Sequence, residues 1–229
     1  MRGYGQFCPV AKAAEIVAER WTPLVLRELF CGSTRFNDLK RGVPLMSPSL
    51  LSRRLRELEQ AGIVDKRQAK EGKIAEYHLT DAGRELWPVI EQLGVWGKRW
   101  AQARIDAHDL DAGLLMWDIR RHLKLEQVPD ERRIVVRFQL SGAASAKQRW
   151  WLVIEHRKAE LCLLDPGFDV DLSVHTSLRT MTEIWMGDRD WLQTVRKGEL
   201  SLEGNKPLAR SFHQWLDLSS FARVERMTS

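Results

Sequence analysis

The chain has 229 residues, 44% of them hydrophobic, and a formal net charge of +5. That length accommodates one large domain or two ordinary ones with a real core. No apolar run approaches the ~20 residues of a membrane helix, and no basic segment followed by a long apolar stretch opens the chain as a secretory signal would.

Cys8, Cys31 and Cys162 form neither a CxxC pair nor a metal spacing with histidine. The expectation is a reducing, cytoplasmic setting with no disulfide framework, no metal and no cofactor. The charge is unevenly spread. Residues 1–107 hold 18 Lys and Arg against 13 Asp and Glu, whereas residues 108–229 hold 18 against 18. A basic surplus confined to one half points to a polyanion, most often nucleic acid. We read 1–107 as a DNA-binding domain and 108–229 as a second domain.

In chain order, 10–19 and 22–31 have helical periodicity, separated near Pro23 and stopped by Gly32. STRFNDLKRGV carries a short helix with Phe36 and Leu39 on one side. A loop with Pro44 leads to MSPSLLSRRLRELEQAG (46–62). Here Ser47 is a good N-cap, Pro48 suits the first helical position and Gly62 suits the C-terminal cap. At about 100° per residue, Leu51, Leu55 and Leu58 share one face, and Ser49, Ser52, Arg53, Arg56 and Gln60 the other. Guanidiniums present a fixed fork of donors to phosphate oxygens or the guanine edge, and Ser and Gln bond either. The order helix, short helix, loop, basic helix fits a helix-turn-helix. Two strand-like runs follow, 63–68 and 75–80, joined by AKEGK (69–73), so the unit reads as a winged helix with a positive wing tip.

Thr80 and Asp81 open what reads as one long helix over 82–106. Trp87, Ile90, Leu93, Trp96 and Trp100 recur along it at three- and four-residue spacing. A face that apolar exceeds what a small domain covers, so it is expected to meet a second subunit.

Three landmarks together resemble the HxlR family of bacterial winged-helix regulators: Cys8-Pro9 with ERWTPLVLREL (19–29), RFNDLKRGVPLMSPSLLSRRLRELEQAGIV (35–64), and EYHLTDAGRELWPVIEQLGVWG (76–97). Glu19-Arg20 departs from the pair that the family often has before the tryptophan. The resemblance implies a homodimer, joined through helix 82–106 and the N-terminal segment, that binds a palindromic double-stranded DNA operator. For DNA contact we single out Ser47, Ser49, Ser52, Arg53 and Arg56 on the helix, Arg35 for a phosphate, and Lys70 and Lys73 on the wing. Arg54 lies nearer the leucines and is expected to pair within the molecule. Some members of the family sense thiol-reactive compounds. Cys8, ahead of Pro9 at a helix start where a thiol pKa can fall, makes an electrophile-responsive regulator an alternative.

In the second half, 132–140, 149–156, 159–165 and 169–176 read as strands of a meander-like antiparallel sheet. Three helices follow, with ELSLEG (199–204) between the last two, so the whole chain reads as α+β. VDLSVHTSLRTMTEIWMGDRDWLQTVRKGELSLEGNKPLARSFHQWL (170–216) resembles the sterol carrier protein family, whose fold encloses an apolar tunnel. That implies an apolar small-molecule ligand, with Trp117, Phe138, Trp151, Trp185 and Trp191 as candidate lining residues. A lipid carrier whose winged helix mediates protein contacts is a further alternative. The histidines form no catalytic pattern, and HDLD (108–111) reads as helix capping, so no enzymatic activity is expected.

Overall fold

The computed structural model describes residues 3–68, 75–101, 105–130 and 132–227. The chain divides into two compact units, Met1–Gly94 and Val95–Ser229. The second unit includes 95–107, a stretch that the charge count groups with the first half.

The first unit is built from α1 (Pro9–Val17), α2 (Thr22–Phe30), α3 (Phe36–Gly42), α4 (Pro48–Gln60), β1 (Val64–Gln68), β2 (Ala75–Leu79), α5 (Asp81–Arg84) and α6 (Trp87–Trp96). Proline sits in the first turn of α1, α2 and α4, where its missing N–H removes no helical hydrogen bond. Strands β1 and β2 pair antiparallel, from Val64 opposite Leu79 to Gln68 opposite Ala75. The core joins Val25 and Leu26 of α2, Leu39 of α3, and Leu51, Leu55 and Leu58 of α4, all essentially inaccessible to solvent. Each leucine contributes ~1.5–3 kcal/mol by leaving water, so α4 is fixed by its apolar face while its other face stays free.

The expected continuous helix over 82–106 is corrected. Helix α5 ends at Arg84, α6 restarts at Trp87, and one π-helical turn follows at Gly97–Ala101. The break has a local cause: Pro88 cannot donate to the carbonyl one turn back, and its ring would clash there. The apolar series also splits. Ile90 is buried in the unit's own core and Trp87 packs on Phe30 with ring centroids 5.1 Å apart. Val89 and Leu93 of the first unit stay exposed, and so do Trp96 and Trp100 of the second.

In the second unit, α7 (Ala112–Arg121) is capped by Asp111, whose carboxylate accepts from Leu114 N at 2.8 Å. Strands β3 (Ile134–Ser141), β4 (Arg149–Glu155), β5 (Lys158–Cys162), β6 (Leu172–Ser177) and β7 (Leu200–Gly204) form one sheet in the order β5-β4-β3-β6-β7. Helices α8 (Leu178–Trp185), α9 (Trp191–Arg196) and α10 (Lys206–Trp215) complete it. Two expectations are corrected. The sheet is mixed, because β6 pairs parallel with β3, from Val136 opposite Leu172 to Ser141 opposite Ser177. It also has a fifth strand, since 200–204 pairs antiparallel with β6. The chain crosses back over the sheet through 163–171, so β6 enters beside β3 and not beside β5. Alternate residues of β3 (Ile134, Val136, Phe138 and Leu140) enter one core with Phe212 and Trp215 of α10.

A polar latch ties the C-terminal tail into this unit. Lys98 of the π turn, only 2% exposed at its side chain, donates to Asp188 Oδ1 at 2.5 Å and to Met186 O at 3.0 Å. Arg226 grips the same carboxylate, with Nε at 3.0 Å from Oδ1 and Nη2 on Oδ2. Burial lowers the Lys98 pKa, and Asp188 offsets this only in part. Burial alone would raise the Asp188 carboxyl. The hydrogen bonds and charges of Arg226 and Lys98 outweigh that and hold it below its ordinary value.

A carboxyl depressed in the folded state stabilises fully above its unfolded pKa of ~3.9, and that contribution is lost as pH falls through the folded value. Asp188→Ala would leave Lys98 buried with one carbonyl partner. It is expected to destabilise the unit by roughly 2 kcal/mol, less than a fully buried pair because the carboxylate is partly exposed. It should also open the tail to trypsin at Arg223 and Arg226, as read by denaturant unfolding and timed digestion. Unchanged digestion would mean that the latch does not hold the tail.

Candidate nucleic-acid interface

The two faces of α4 are sorted by what the helix packs on. Ser47 is the N-cap, its Oγ accepting from Leu50 N at 3.3 Å, and it lies 3.2 Å from Ser49 Oγ. Ser47, Ser49, Arg53 and Arg56 are exposed and Ser52 is half-buried. Arg53 makes only a 3.9 Å contact with Glu57, and Arg56 has no hydrogen bond or ion pair among the described residues. Arg54 differs from both. Its side chain is 6% exposed and bonds Glu57 at 2.6 Å, Glu19 at 3.2 Å and the carbonyl of Arg20 at 3.4 Å. The helix thus presents two exposed guanidiniums, one of them loosely paired, with hydroxyls and the exposed Gln60 outward, and spends its third guanidinium on anchoring to the α1–α2 connection.

Arg35 caps α3 from an extended conformation and is exposed, but it also pairs with Glu76 of β2 at 3.4 Å. A phosphate there would compete with a carboxylate. Lys70 and Lys73 lie outside the described residues. The strand leading to them is exposed beyond Val64 and carries Lys66 as well as Arg67, whose guanidinium is held by Asp65 at 3.1 Å. Strand alternation alone gave no reason to name Lys66. Its exposure beside the wing makes it a further candidate for phosphate contact.

A second group missed in the sequence fixes the angle between α2 and α3. Glu28, fully buried, accepts from Arg27 Nη2 at 2.7 Å and from Ser33 Oγ at 3.4 Å, while Arg27 Nη2 also donates to the carbonyl of Gly42 at 3.0 Å. The only trace of it in the sequence is a glycine at the end of α3.

The other candidates fall in separate places. Cys8 is the N-cap residue of α1, half-buried and free of any disulfide. Asp106, His108 and Asp109 are exposed and close enough to share a cation, but Asp109 already accepts from Asp106 N at 3.2 Å as a helix cap. In the second unit, Phe138, Trp185 and Trp191 are core residues, and Trp191 packs against Phe212 with tilted rings whose centroids are 5.7 Å apart. Trp117 and Trp151 are buried outside that cluster. A cavity of about 670 Å³ lies at the edge of this core, and of the five candidates Trp191 alone lines it.

A short helix, a loop and a basic helix followed by a two-stranded wing define a winged helix-turn-helix, with its polar helix face free for the major groove. The chain belongs to the HxlR-like helix-turn-helix family, whose pattern residues 16–105 match; its N-terminal part is that of a DNA-binding transcriptional regulator. It is similar to YvaP of Bacillus subtilis, an uncharacterized HTH-type transcriptional regulator, at 36% identity over 97 residues, which is 42% of this chain and 90% of that one. The regulator Rv3095 of Mycobacterium tuberculosis is 44% identical over 89 residues, 38% of this chain and 56% of that protein, so the chain spans little more than half of that relative. Among solved structures, the redox regulator HypR in its reduced form aligns at 32% identity over 39% of this chain and 90% of that one, with a TM-score of 0.37. No helix among the described residues is long and apolar enough to cross a membrane.

Proposed function

We propose that the protein is a cytoplasmic, non-catalytic, homodimeric regulator that reads a palindromic operator with two copies of α4. In this reading an apolar small molecule held by the second unit modulates the grip on DNA. The observation that carries the reading is the sorting of the three arginines on α4: two exposed and outward, one buried and spent on structure. Two such helices must lie about one DNA turn apart, ~34 Å, to meet both half-sites. The wing, with Lys66 and the wing-tip lysines, would follow the backbone.

The exposed series Val89, Leu93, Trp96 and Trp100 supports the dimer. Large apolar side chains left on a surface signal an interface, and Tyr4 and Phe7, also exposed, are the N-terminal counterparts. Trp96→Asp with Trp100→Asp is expected to convert a dimer into monomers in sedimentation or light scattering, and to weaken operator binding by more than tenfold through loss of the second half-site. A monomeric wild-type protein would overturn the dimer.

The order β6–α8–α9–β7–α10 supports the resemblance of 170–216 to sterol carrier proteins, and with it a ligand-binding role. A ligand can alter operator affinity only if it binds the two states differently. Fluorescence anisotropy on DNA from the upstream region of the protein's own gene, across a salt series, tests the core of the proposal. Tight binding whose logarithm falls steeply with the logarithm of salt is expected. Binding no tighter than to random DNA would overturn it for that site.

A further inference from the structure

The cavity of about 670 Å³ in the second unit falls within the ~300–1,000 Å³ usual for small-molecule sites. Its lining includes the apolar side chains Ile184, Trp191 and Leu216. It also includes basic side chains, and pairing decides which of them are available. Lys124 is matched by Asp217 at 3.2 Å. Arg189 is matched by Glu183 at 2.9 Å and by Glu199. Asp190 is engaged as the cap of α9, accepting from Gln193 N at 2.8 Å. His122 lends Nδ1 to the carbonyl of Asp118 at 2.9 Å. That leaves His213 and Arg223, which line the cavity with no hydrogen bond or ion pair among the described residues. The acids of the lining are engaged and two of its nitrogen bases are not.

We infer that this cavity binds an amphipathic organic carboxylate, its apolar body against Ile184, Trp191 and Leu216 and its carboxylate held by His213 and Arg223. The inference deepens the ligand-binding reading of the second unit and rests on it. A planar guanidinium suits a carboxylate, because two parallel N–H donors meet its two oxygens. The apolar wall supplies affinity and the bases supply selection for charge.

The position of the cavity adds a readout. Leu218, Ala222 and Arg223 of its wall belong to the tail that ends in the Arg226–Asp188–Lys98 latch. The tail is seated closely: a Cβ on Gly187, whose φ is +75°, would lie 2.3 Å from the carbonyl oxygen of Ala222. A carboxylate drawing Arg223 inward would hold the tail against α8 and protect it.

The test uses the full chain and isothermal titration calorimetry. The charged probes are 2-naphthylacetate and decanoate; 2-naphthylacetamide is the neutral counterpart of the first. At least one charged probe should bind with one site per chain. 2-Naphthylacetate should bind at least tenfold more tightly than its amide. His213→Ala with Arg223→Ala should remove that preference and leave amide binding unchanged. Arg210→Ala, which deletes a charge on the same helix away from the cavity, should change nothing. The bound carboxylate should slow tryptic cleavage at Arg223.

Equal affinity for acid and amide, a preference that survives the double variant, or binding by neither charged probe would each overturn the inference. Operator binding is not part of this readout. A protein that takes the carboxylate but not DNA sinks the regulator reading alone, and one that takes DNA but no carboxylate sinks this one alone.

Discussion

Arg53→Ala with Arg56→Ala is expected to weaken operator binding about a hundredfold or more and to leave the first unit folded. Both side chains are exposed, and the single ion pair between them and the protein is the loose 3.9 Å contact of Arg53 with Glu57. An exposed pair of that kind contributes at most ~1 kcal/mol, so stability should barely move. On DNA each guanidinium is worth roughly 1–3 kcal/mol if it reads a base edge, and removing a guanidinium from a phosphate lowers the salt slope by about one. Anisotropy on operator and scrambled DNA separates these roles. Arg54→Ala provides the contrast. It removes a buried group bonded to two carboxylates, so it should destabilise the unit by ~1–3 kcal/mol and change DNA affinity only through that loss. A double variant that binds operator as wild type does would remove α4 from the groove.

Gly42→Ala is expected to destabilise the first unit by roughly 2–4 kcal/mol, although alanine is the better helix former. Propensity favours the change by up to ~1 kcal/mol. Against it, the new Cβ would lie 1.8 Å from the Glu28 carboxyl carbon. Overpacking typically costs ~1–3 kcal/mol, and expelling the carboxylate loses its charged hydrogen bonds with Arg27 and Ser33 at ~1.5–3 kcal/mol for such a bond. The steric and polar losses exceed the gain. Chemical denaturation should show an earlier transition for the first unit, and operator affinity should fall as the α2–α3 angle changes. Gly42→Ala at or above wild-type stability would mean that Glu28 can leave its site without loss.

The local devices of the first unit can be read in its residues. Ser47 and Pro48 start α4, the leucine spacing at 51, 55 and 58 fixes its inward face, and the inward position of Arg54 follows from the same angle. The wing strands follow from β-branched and aromatic runs around a glycine. These features depend on neighbours a few residues apart, whose geometry the helix and strand periods set. The break in the 82–106 helix was also locally encoded, at Pro88, but the tryptophan spacing suggested one uninterrupted helix. The core then claims Ile90, Trp87 packs half-buried on Phe30, and Trp96 and Trp100 stay exposed.

What the sequence by itself determined is the class of the first unit, the arginine- and serine-bearing outer face of α4 and the leucine face that holds it. The tertiary structure alone decided the parallel pairing of β3 with β6, the recruitment of 200–204 as a fifth strand, and the cluster of Arg27, Glu28 and Gly42. It also decided the Lys98–Asp188–Arg226 latch, and the cavity that His213 and Arg223 both line. The physical reason is common to all of these. Periodicity states which face of an element is apolar or charged, but not which distant element covers it. Partners 88 residues apart, such as Lys98 and Met186, are chosen by the packing of the whole unit.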